Sequence, residues 1–247
     1  MVTGICKYCN QEKELICSHI IPKCLFRLDQ LGPLASINSK EYKIDRNPIH
    51  QNGMKEYLMC AECDNEIGKL DKYASKIFKQ IIPNHKCEII NGIETCRLSS
   101  KEIDCWKFKK FFISVMWRLS VSAGEINLGP YEDIAYKMLK GELTDNADLF
   151  LPLIYCKKTG TNVDVSSGVF SNKTEGKRMF IIHFPYYEIL LIPCTKYAER
   201  QQYMDYFKSF FTSEEVLVHK YLYPPYYYKQ LADTVVKCQQ RSKGKKI

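Results

Sequence analysis

Two short segments decide the fold predicted here: CKYC at residues 6–9 and CAEC at residues 60–63. Each C-x-x-C segment can present two thiolates to one metal ion, and two such segments complete a tetrahedral four-cysteine site. A single pair would equally indicate a redox motif. We therefore predict one zinc ion bound by Cys6, Cys9, Cys60 and Cys63. The ion is structural, because a closed four-thiolate site has no open coordination position.

The residues next to these segments predict two strands followed by a helix. Residues 16–21 and 55–59 have the composition of strands. Apolar residues recur at helical spacing from Ala61 to Ile81, and Pro83 then ends the pattern. Fifty residues separate Cys9 from Cys60, and a gap of this length is typical of an inserted functional element.

The rest of the chain predicts a mixture of helices and strands. We expect helices at residues 103–121, 131–140 and 200–211, and strands at 150–155, 163–170 and 178–192, the last being one strand or two. The fold class is therefore α+β. A zinc-stabilised module is expected at residues 1–85, followed by a mixed helix and antiparallel-strand domain at residues 86–247, with the boundary near residues 85–100.

Composition limits the class of protein. The chain has 247 residues, of which 45% are hydrophobic, which is typical of a globular protein with a real core. No apolar stretch is long enough to span a bilayer, and Cys6 and Lys7 interrupt any secretory signal, so we expect an intracellular, cytoplasmic protein. The net charge of +8 mildly favours a polyanionic partner.

Between the cysteine pairs lies CSHIIPK at residues 17–23, with His19 at a predicted strand end. The order of a C-x-x-C pair, a His-Ile-Ile-Pro strand, and a strand running into a second C-x-x-C pair and a helix resembles the HNH endonuclease superfamily, whose fold is the ββα-metal finger. The resemblance covers about residues 5–80, roughly a third of the chain.

The resemblance implies a role for each matching residue. His19 would be the general base that takes a proton from the attacking water, which suits an imidazole near neutral pH. One divalent ion, commonly Mg²⁺, would neutralise charge on the phosphate and the leaving oxygen. Asn65 matches the ligand position on the helix, and Asp64 is the alternative. Asn65 is thus both a catalytic residue and a candidate ligand.

The sequence departs from the superfamily pattern at two places. Ser18 stands where many members carry an acidic ligand, so another oxygen is needed, and Asp71, two helical turns after Asp64, is a candidate. The middle asparagine of the motif has no clear counterpart. Glu56 is closest in position, and His50 and Asn52 lie further upstream.

Several side chains outside the motif also carry predictions. Four cations near the proposed site are either DNA phosphate contacts or solvated surface charges: Lys23, Arg27, Lys55 and Lys69. Arg118, within the long apolar helix, needs a carboxylate or backbone partner, which favours a structural role. Eight cysteines lack paired spacing and are expected to be buried thiols: Cys17, Cys24, Cys87, Cys96, Cys105, Cys156, Cys194 and Cys238.

The function expected from these features is metal-dependent hydrolysis of DNA, by analogy with restriction, mobile-element and anti-phage defence nucleases. The alternative is a zinc-stabilised nucleic-acid-binding or protein-docking module without catalysis. A weaker alternative makes Cys6 and Cys9 a redox pair. Residues 86–247 carry no recognisable catalytic motif, and are expected to position substrate, form a homodimer or dock a regulatory protein. No membrane partner is expected.

Overall fold

A computed structural model describes residues 2–22, 36–38, 43–45, 55–123, 126–146, 149–158, 168–174, 177–184, 187–194 and 208–222. Within these ranges the chain forms twelve strands and three helices of more than two turns. The α+β class predicted from the sequence is therefore confirmed. No helix in the described ranges is long and apolar enough to cross a membrane.

The first part of the fold is a three-stranded antiparallel sheet followed by a helix. Strands β1 (Val2–Ile5), β2 (Glu12–His19) and β5 (Lys55–Cys60) lie in the order β1-β2-β5. Between β2 and β5 the chain forms a separate two-stranded sheet, made of β3 (Ser36–Asn38) and β4 (Lys43–Asp45).

Helix α1 (Ala61–Lys76) follows β5 without a loop. The predicted order of strand, strand and helix is therefore found. The helical path continues as a π-helical segment, Ile77–Ile81, and a final turn, Ile82–Asn84. Pro83 lies inside that final turn, one residue before the end, so it ends the helix nearly as predicted.

The second part is a seven-stranded sheet in the order β6-β7-β12-β8-β11-β10-β9. Its strands are β6 (Cys87–Ile90), β7 (Ile93–Ser99), β8 (Leu149–Lys158), β9 (Gly168–Thr174), β10 (Lys177–Phe184), β11 (Tyr187–Cys194) and β12 (Glu215–Leu222). All neighbouring strands are antiparallel except β8 and β12. Residues 87–99, where the sequence suggested a domain boundary, form the β6–β7 hairpin.

Two helices lie between β7 and β8 along the chain. Helix α2 (Cys105–Val121) begins at Asp104, whose side chain accepts a 2.8 Å hydrogen bond from the Lys107 N–H, and most of its residues are buried. Helix α3 (Tyr131–Lys140) has the bounds predicted from the sequence and ends at Gly141, whose φ of 78° suits a residue without a Cβ.

A single continuous hydrophobic core joins the two predicted domains. Tyr8 packs edge-on against Trp117 with ring centroids 5.6 Å apart, and Phe78 packs in the same manner on Phe108 at 5.5 Å. The Tyr187 hydroxyl donates to the Phe78 carbonyl oxygen at 3.1 Å. The described parts of residues 1–85 and 86–247 therefore share one packed interior.

Other predicted elements match in part. The strand predicted at residues 178–192 is two strands, β10 and β11. The strand predicted at 163–170 overlaps β9 only from Gly168, because residues 159–167 lie outside the described ranges. Most of the helix predicted at 200–211 also lies outside them, and its described end, at residues 208–211, leads into a bridge between Phe211 and Val216.

Candidate metal centre and the His19 site

The four predicted zinc ligands come together at one point. The sulfur atoms of Cys6, Cys9, Cys60 and Cys63 all lie within 4.8 Å of one another. A tetrahedral ion with Zn–S bonds of about 2.3 Å needs sulfurs about 3.8 Å apart. Four cysteines in this arrangement are close enough to bind one metal ion, and their thiolates are the donors that zinc prefers.

Local backbone geometry builds each half of this centre. The Cys6 N–H donates to the Gln11 carbonyl oxygen, and the Asn10 N–H donates to that of Cys6, both at 2.9 Å. Asn10 adopts a positive φ of 56°, which lets the chain turn back tightly. Cys60 ends β5 and Cys63 lies in the first turn of α1, so the strand–helix junction presents the other two sulfurs.

Hydrogen bonds to its sulfur favour ionisation of the Cys6 thiol. Burial raises the pKa of Cys6, but N–H donors at Cys60, Cys9 and Tyr8 outweigh it and lower the pKa to about 7. The Cys60 N–H lies 3.3 Å from the Cys6 sulfur. Burial and the neighbouring sulfurs raise the pKa of Cys63. A bound dication would stabilise all four thiolates together.

Tyr8, between the first two cysteines, fixes this centre to the helices. Its hydroxyl donates to Glu66 Oε1 at 3.0 Å, and its backbone oxygen accepts from the Tyr136 hydroxyl at 2.9 Å. Burial, and then Glu66, raise the pKa of Tyr8. Nothing in the C-x-x-C pattern identifies this residue, because its partners come from α1 and α3.

His19 is the last residue of β2 and pairs with Lys55 across the sheet. Its side chain is half-buried, and its Nε2 atom is buried. The preceding residue, Ser18, is buried and lies opposite Glu56. The Glu56 carboxylate accepts a 2.9 Å hydrogen bond from the Ala123 N–H. Glu56 therefore anchors the end of α2.

Arg118 joins the His19 strand to helix α1. Its Nη1 donates to the His19 carbonyl oxygen and to Asp71 Oδ2, both at 3.0 Å, and its Nη2 donates to Asp71 Oδ1 at 2.8 Å. The Arg118 side chain is 2% exposed. The prediction that this arginine has a carboxylate or backbone partner is confirmed, since it has both.

The register decides which residue of α1 lies beside His19. Leu15 of β2 lies opposite Cys60 of β5, just before the helix begins. The Lys13 Nζ forms a 2.6 Å ion pair with Glu62 Oε2 in the first turn of α1. His19 is four residues further along β2, about 13 Å away. A helix needs about nine residues to return that distance, because each residue rises about 1.5 Å. Asp71, ten residues after Ala61, lies close to this level, and Arg118 joins it to the His19 carbonyl oxygen.

Asp64 and Asn65 lie at the zinc end of the helix. Asp64 is half-buried and Asn65 is exposed. Both lie about two helical turns before Asp71, the residue that Arg118 joins to the His19 carbonyl oxygen. Among the described residues, the four cysteines are the one group of three or more His, Cys, Asp or Glu side chains that converges to hold a metal. A divalent ion bound by Asp71 would share this carboxylate with Arg118.

The predicted phosphate contacts are only partly described. Lys55 and Lys69 are exposed, on β5 and α1. Lys23 and Arg27 lie outside the described residues, as do His50 and Asn52.

The prediction that unpaired cysteines are buried holds for Cys96 and Cys105 but is wrong for Cys17, which is exposed. Side chains alternate along a strand, so Cys17 points away from the face that buries Ser18. Cys87 and Cys156 are half-buried. Cys24 and Cys238 lie outside the described residues, and the side chain of Cys194 is not described.

Comparisons of the chain with protein-family models, with curated proteins and with solved structures found no match.

Proposed function

We propose that this protein is a metal-dependent endonuclease of the ββα-metal type, which hydrolyses DNA phosphodiester bonds and is stabilised by a structural zinc ion. The observation that carries the proposal is the position of His19. It ends a strand, its backbone is held by Arg118, and the helix that packs on this strand carries side chains whose oxygen atoms can bind a metal ion. The four-cysteine centre holds the junction of β5 and α1, at the end of the module opposite His19.

In this proposal His19 takes a proton from a water molecule, which then attacks the phosphorus atom of the scissile bond. Arg118 fixes the backbone of His19, which limits the positions open to its half-buried ring and so reduces the entropy lost on reaching the reactive geometry. A divalent ion such as Mg²⁺, when bound, supplies charge neutralisation at the phosphate and the leaving oxygen.

Three side chains of α1 are candidate ligands for that ion. Asn65 and Asp64 follow from the resemblance to HNH nucleases, and Asp71 follows from its level along the helix. The exposed ammonium groups of Lys55 and Lys69, with Lys23 and Arg27, would attract the phosphate backbone. The net charge of +8 acts in the same direction. Residues 86–247 would position the DNA, form a homodimer or dock a regulatory protein.

One observation favours a second candidate, a zinc-stabilised nucleic-acid-binding module without catalysis. Arg118 already occupies both oxygens of Asp71, so a protein cation stands where a metal ion would be needed. Such a site can still hold a phosphate backbone. It would bind DNA with strong salt dependence and without a requirement for Mg²⁺.

The decisive experiment compares plasmid cleavage by the parent protein, His19→Ala and Cys17→Ser. Supercoiled DNA is incubated with Mg²⁺, Mn²⁺ or EDTA, and the zinc content of each protein is measured first. Cys17→Ser is the matched control, because Cys17 lies on the same strand but is exposed. We expect metal-dependent nicking by the parent and by Cys17→Ser, and loss of at least about 100-fold in His19→Ala.

Equal cleavage by zinc-loaded His19→Ala would overturn the role of His19 as base. Binding without cleavage by any of the three proteins would favour the non-catalytic module. Those two results are distinct, because a fluorescence titration of labelled DNA against salt reports binding independently of hydrolysis.

A further inference from the structure

The β6–β7 hairpin places two cysteines directly opposite each other. Cys87 pairs with Cys96, and their sulfur atoms lie 2.6 Å apart. The turn consists of Asn91 and Gly92, with φ values of 50° and 78°. Two successive positive φ values identify a type I′ turn, whose twist matches that of the strands it joins.

The turn also determines the backbone distance between the two cysteines. In a two-residue hairpin the pair next to the turn, Ile90 and Ile93, is hydrogen-bonded, and hydrogen-bonded and non-hydrogen-bonded pairs then alternate. The Cys87–Cys96 pair is the third pair beyond it, so it is non-hydrogen-bonded. The Cα atoms of such pairs lie about 4.5 Å apart, within the range that a disulfide spans.

The two thiols differ in access and in chemistry. Cys87 is half-buried on the edge strand of the sheet, whereas Cys96 is fully buried on the next strand. Burial, and then the Cys87 thiol, raise the pKa of Cys96 to about 12. Cys87 is therefore the sulfur that an external reagent reaches first, and Cys96 is held behind it.

A lysine lies beside the more accessible sulfur. The Lys220 Nζ forms a 2.7 Å ion pair with Glu94. The hydrogen bond to Glu94, and then the nearby Cys87 thiol, raise the pKa of Lys220. Lys220 therefore keeps its positive charge next to Cys87. Electropositive and partly exposed surroundings are typical of reactive cysteines.

We propose that Cys87 and Cys96 form a redox-active dithiol whose substrates are small-molecule disulfides, such as oxidised glutathione. The Cys87 thiolate attacks one sulfur of the small disulfide, which forms a mixed disulfide and releases one thiolate. Cys96 loses its proton to solvent and attacks the Cys87 sulfur, which closes the Cys87–Cys96 bond and releases the second thiolate. Two electrons pass to the small disulfide, and two protons end on the two released thiols. This chemistry does not depend on the proposed nuclease function.

The sequence allows a direct test. Lys86 and Arg97 flank the hairpin, so trypsin releases residues 87–97, CEIINGIETCR, as one peptide that contains both cysteines. The zinc-loaded protein is incubated with reduced or oxidised glutathione, unfolded in iodoacetamide and digested. After oxidation we expect this peptide to be unalkylated and two hydrogen atoms lighter. After reduction we expect it to carry two alkyl groups.

Variants separate the two sulfurs. Cys96→Ser is expected to keep one glutathione on Cys87, because the resolving thiol is gone. Cys87→Ser is expected to leave Cys96 free of glutathione, because Cys96 is buried. Lys220→Gln should slow closure several-fold while Lys220→Arg retains the parent rate, and Cys105→Ser, a buried cysteine elsewhere, should close like the parent.

Two results would overturn the proposal. One is a parent peptide that carries two alkyl groups after equilibration with oxidised glutathione. The other is a parent peptide that stops at one glutathione adduct and never closes, which would show that Cys96 does not act as the resolving thiol.

Discussion

Arg118 and Asp71 form a bidentate ion pair, with Nη2 2.8 Å from Oδ1 and Nη1 3.0 Å from Oδ2. Bidentate pairs of this kind hold two elements in a defined relative position. Here they hold the middle of α1 to the end of α2, and the same arginine also holds the backbone of His19.

Breaking this pair from one side leaves a poorly solvated charge. We expect Arg118→Met and Asp71→Asn each to lower the free energy of unfolding by about 3 kcal/mol, with Arg118→Met the milder because the charge that it leaves, on Asp71, is partly exposed. The double variant should cost clearly less than the two single changes together. Urea denaturation of the four proteins measures the coupling, and strictly additive effects would contradict the pairing.

Removal of the metal should destabilise the whole molecule. We expect about one zinc ion per chain by elemental analysis, and a decrease in Tm of at least about 10 °C when a chelator removes it. Cys60→Ser should reproduce this decrease without chelator. Cys105→Ser, also at a buried cysteine but one outside the four-sulfur group, is the matched control and should keep its zinc. Full stability of the metal-free protein would contradict a structural role.

His219 should make stability depend on pH. Its Nδ1 forms a 2.6 Å hydrogen bond with Thr95 Oγ1. The Nε2 atom is buried without a hydrogen-bond partner in the described part of the chain. Protonation would place an N–H there, and burial accordingly lowers the pKa of His219.

The direction of this pH dependence follows from how readily the folded and unfolded chains bind a proton at His219. The unfolded chain binds a proton at His219 below about pH 6.5, whereas the folded chain resists it, so stability is highest above that pH and decreases below it. The decrease is at most about 1.4 kcal/mol per pH unit. We expect urea midpoints between pH 8 and pH 5 to show it in the parent and to show less of it in His219→Phe. Identical pH profiles would contradict this account.

The carboxylate of Glu102 makes stability depend on pH in a more acidic range. Hydrogen bonds from the Ser99 N–H and hydroxyl, and then from His85, lower the pKa of Glu102 to about 2. Its contribution to stability is therefore complete above about pH 4.5 and is lost as the pH falls towards 2. The two effects can be measured separately in one series of unfolding curves.

Tyr8 should contribute to stability through its hydroxyl as well as its ring. Tyr8→Phe removes the hydrogen bond to Glu66 and should lower the free energy of unfolding by about 1 kcal/mol with the zinc content unchanged. Tyr8→Ala also empties the space beside Trp117, and should cost about 3 to 5 kcal/mol. Equal costs for the two variants would show that the ring packing contributes nothing.

Features that depend on neighbours in sequence could be predicted. Helix α3 has the predicted bounds because its apolar spacing and the glycine at its end are local signals. The four-cysteine centre was predicted because each C-x-x-C pair is also local. The β6–β7 hairpin was missed, although Asn91-Gly92 between alternating residues is a strong turn signal. The sequence instead suggested a domain boundary near residues 85–100.

Contacts between distant elements could not be predicted. Arg118 lies 47 residues from Asp71 and 99 from His19. The sequence indicates that a semi-buried arginine needs a partner, but the partner depends on how α1 packs against α2. The same packing brings Asp71, rather than Asp64 or Asn65, level with His19, because the register of β2 and β5 sets where the helix begins.

The place of β12 has a consequence for synthesis on the ribosome. This last described strand lies between β7 and β8, both of which are made much earlier. Until residue 222 leaves the exit tunnel, β7 and β8 each present an unpaired edge, and such edges can pair with those of other nascent chains. The sheet therefore closes as one late event, and a chain that stops before residue 215 carries two open edges in place of its centre.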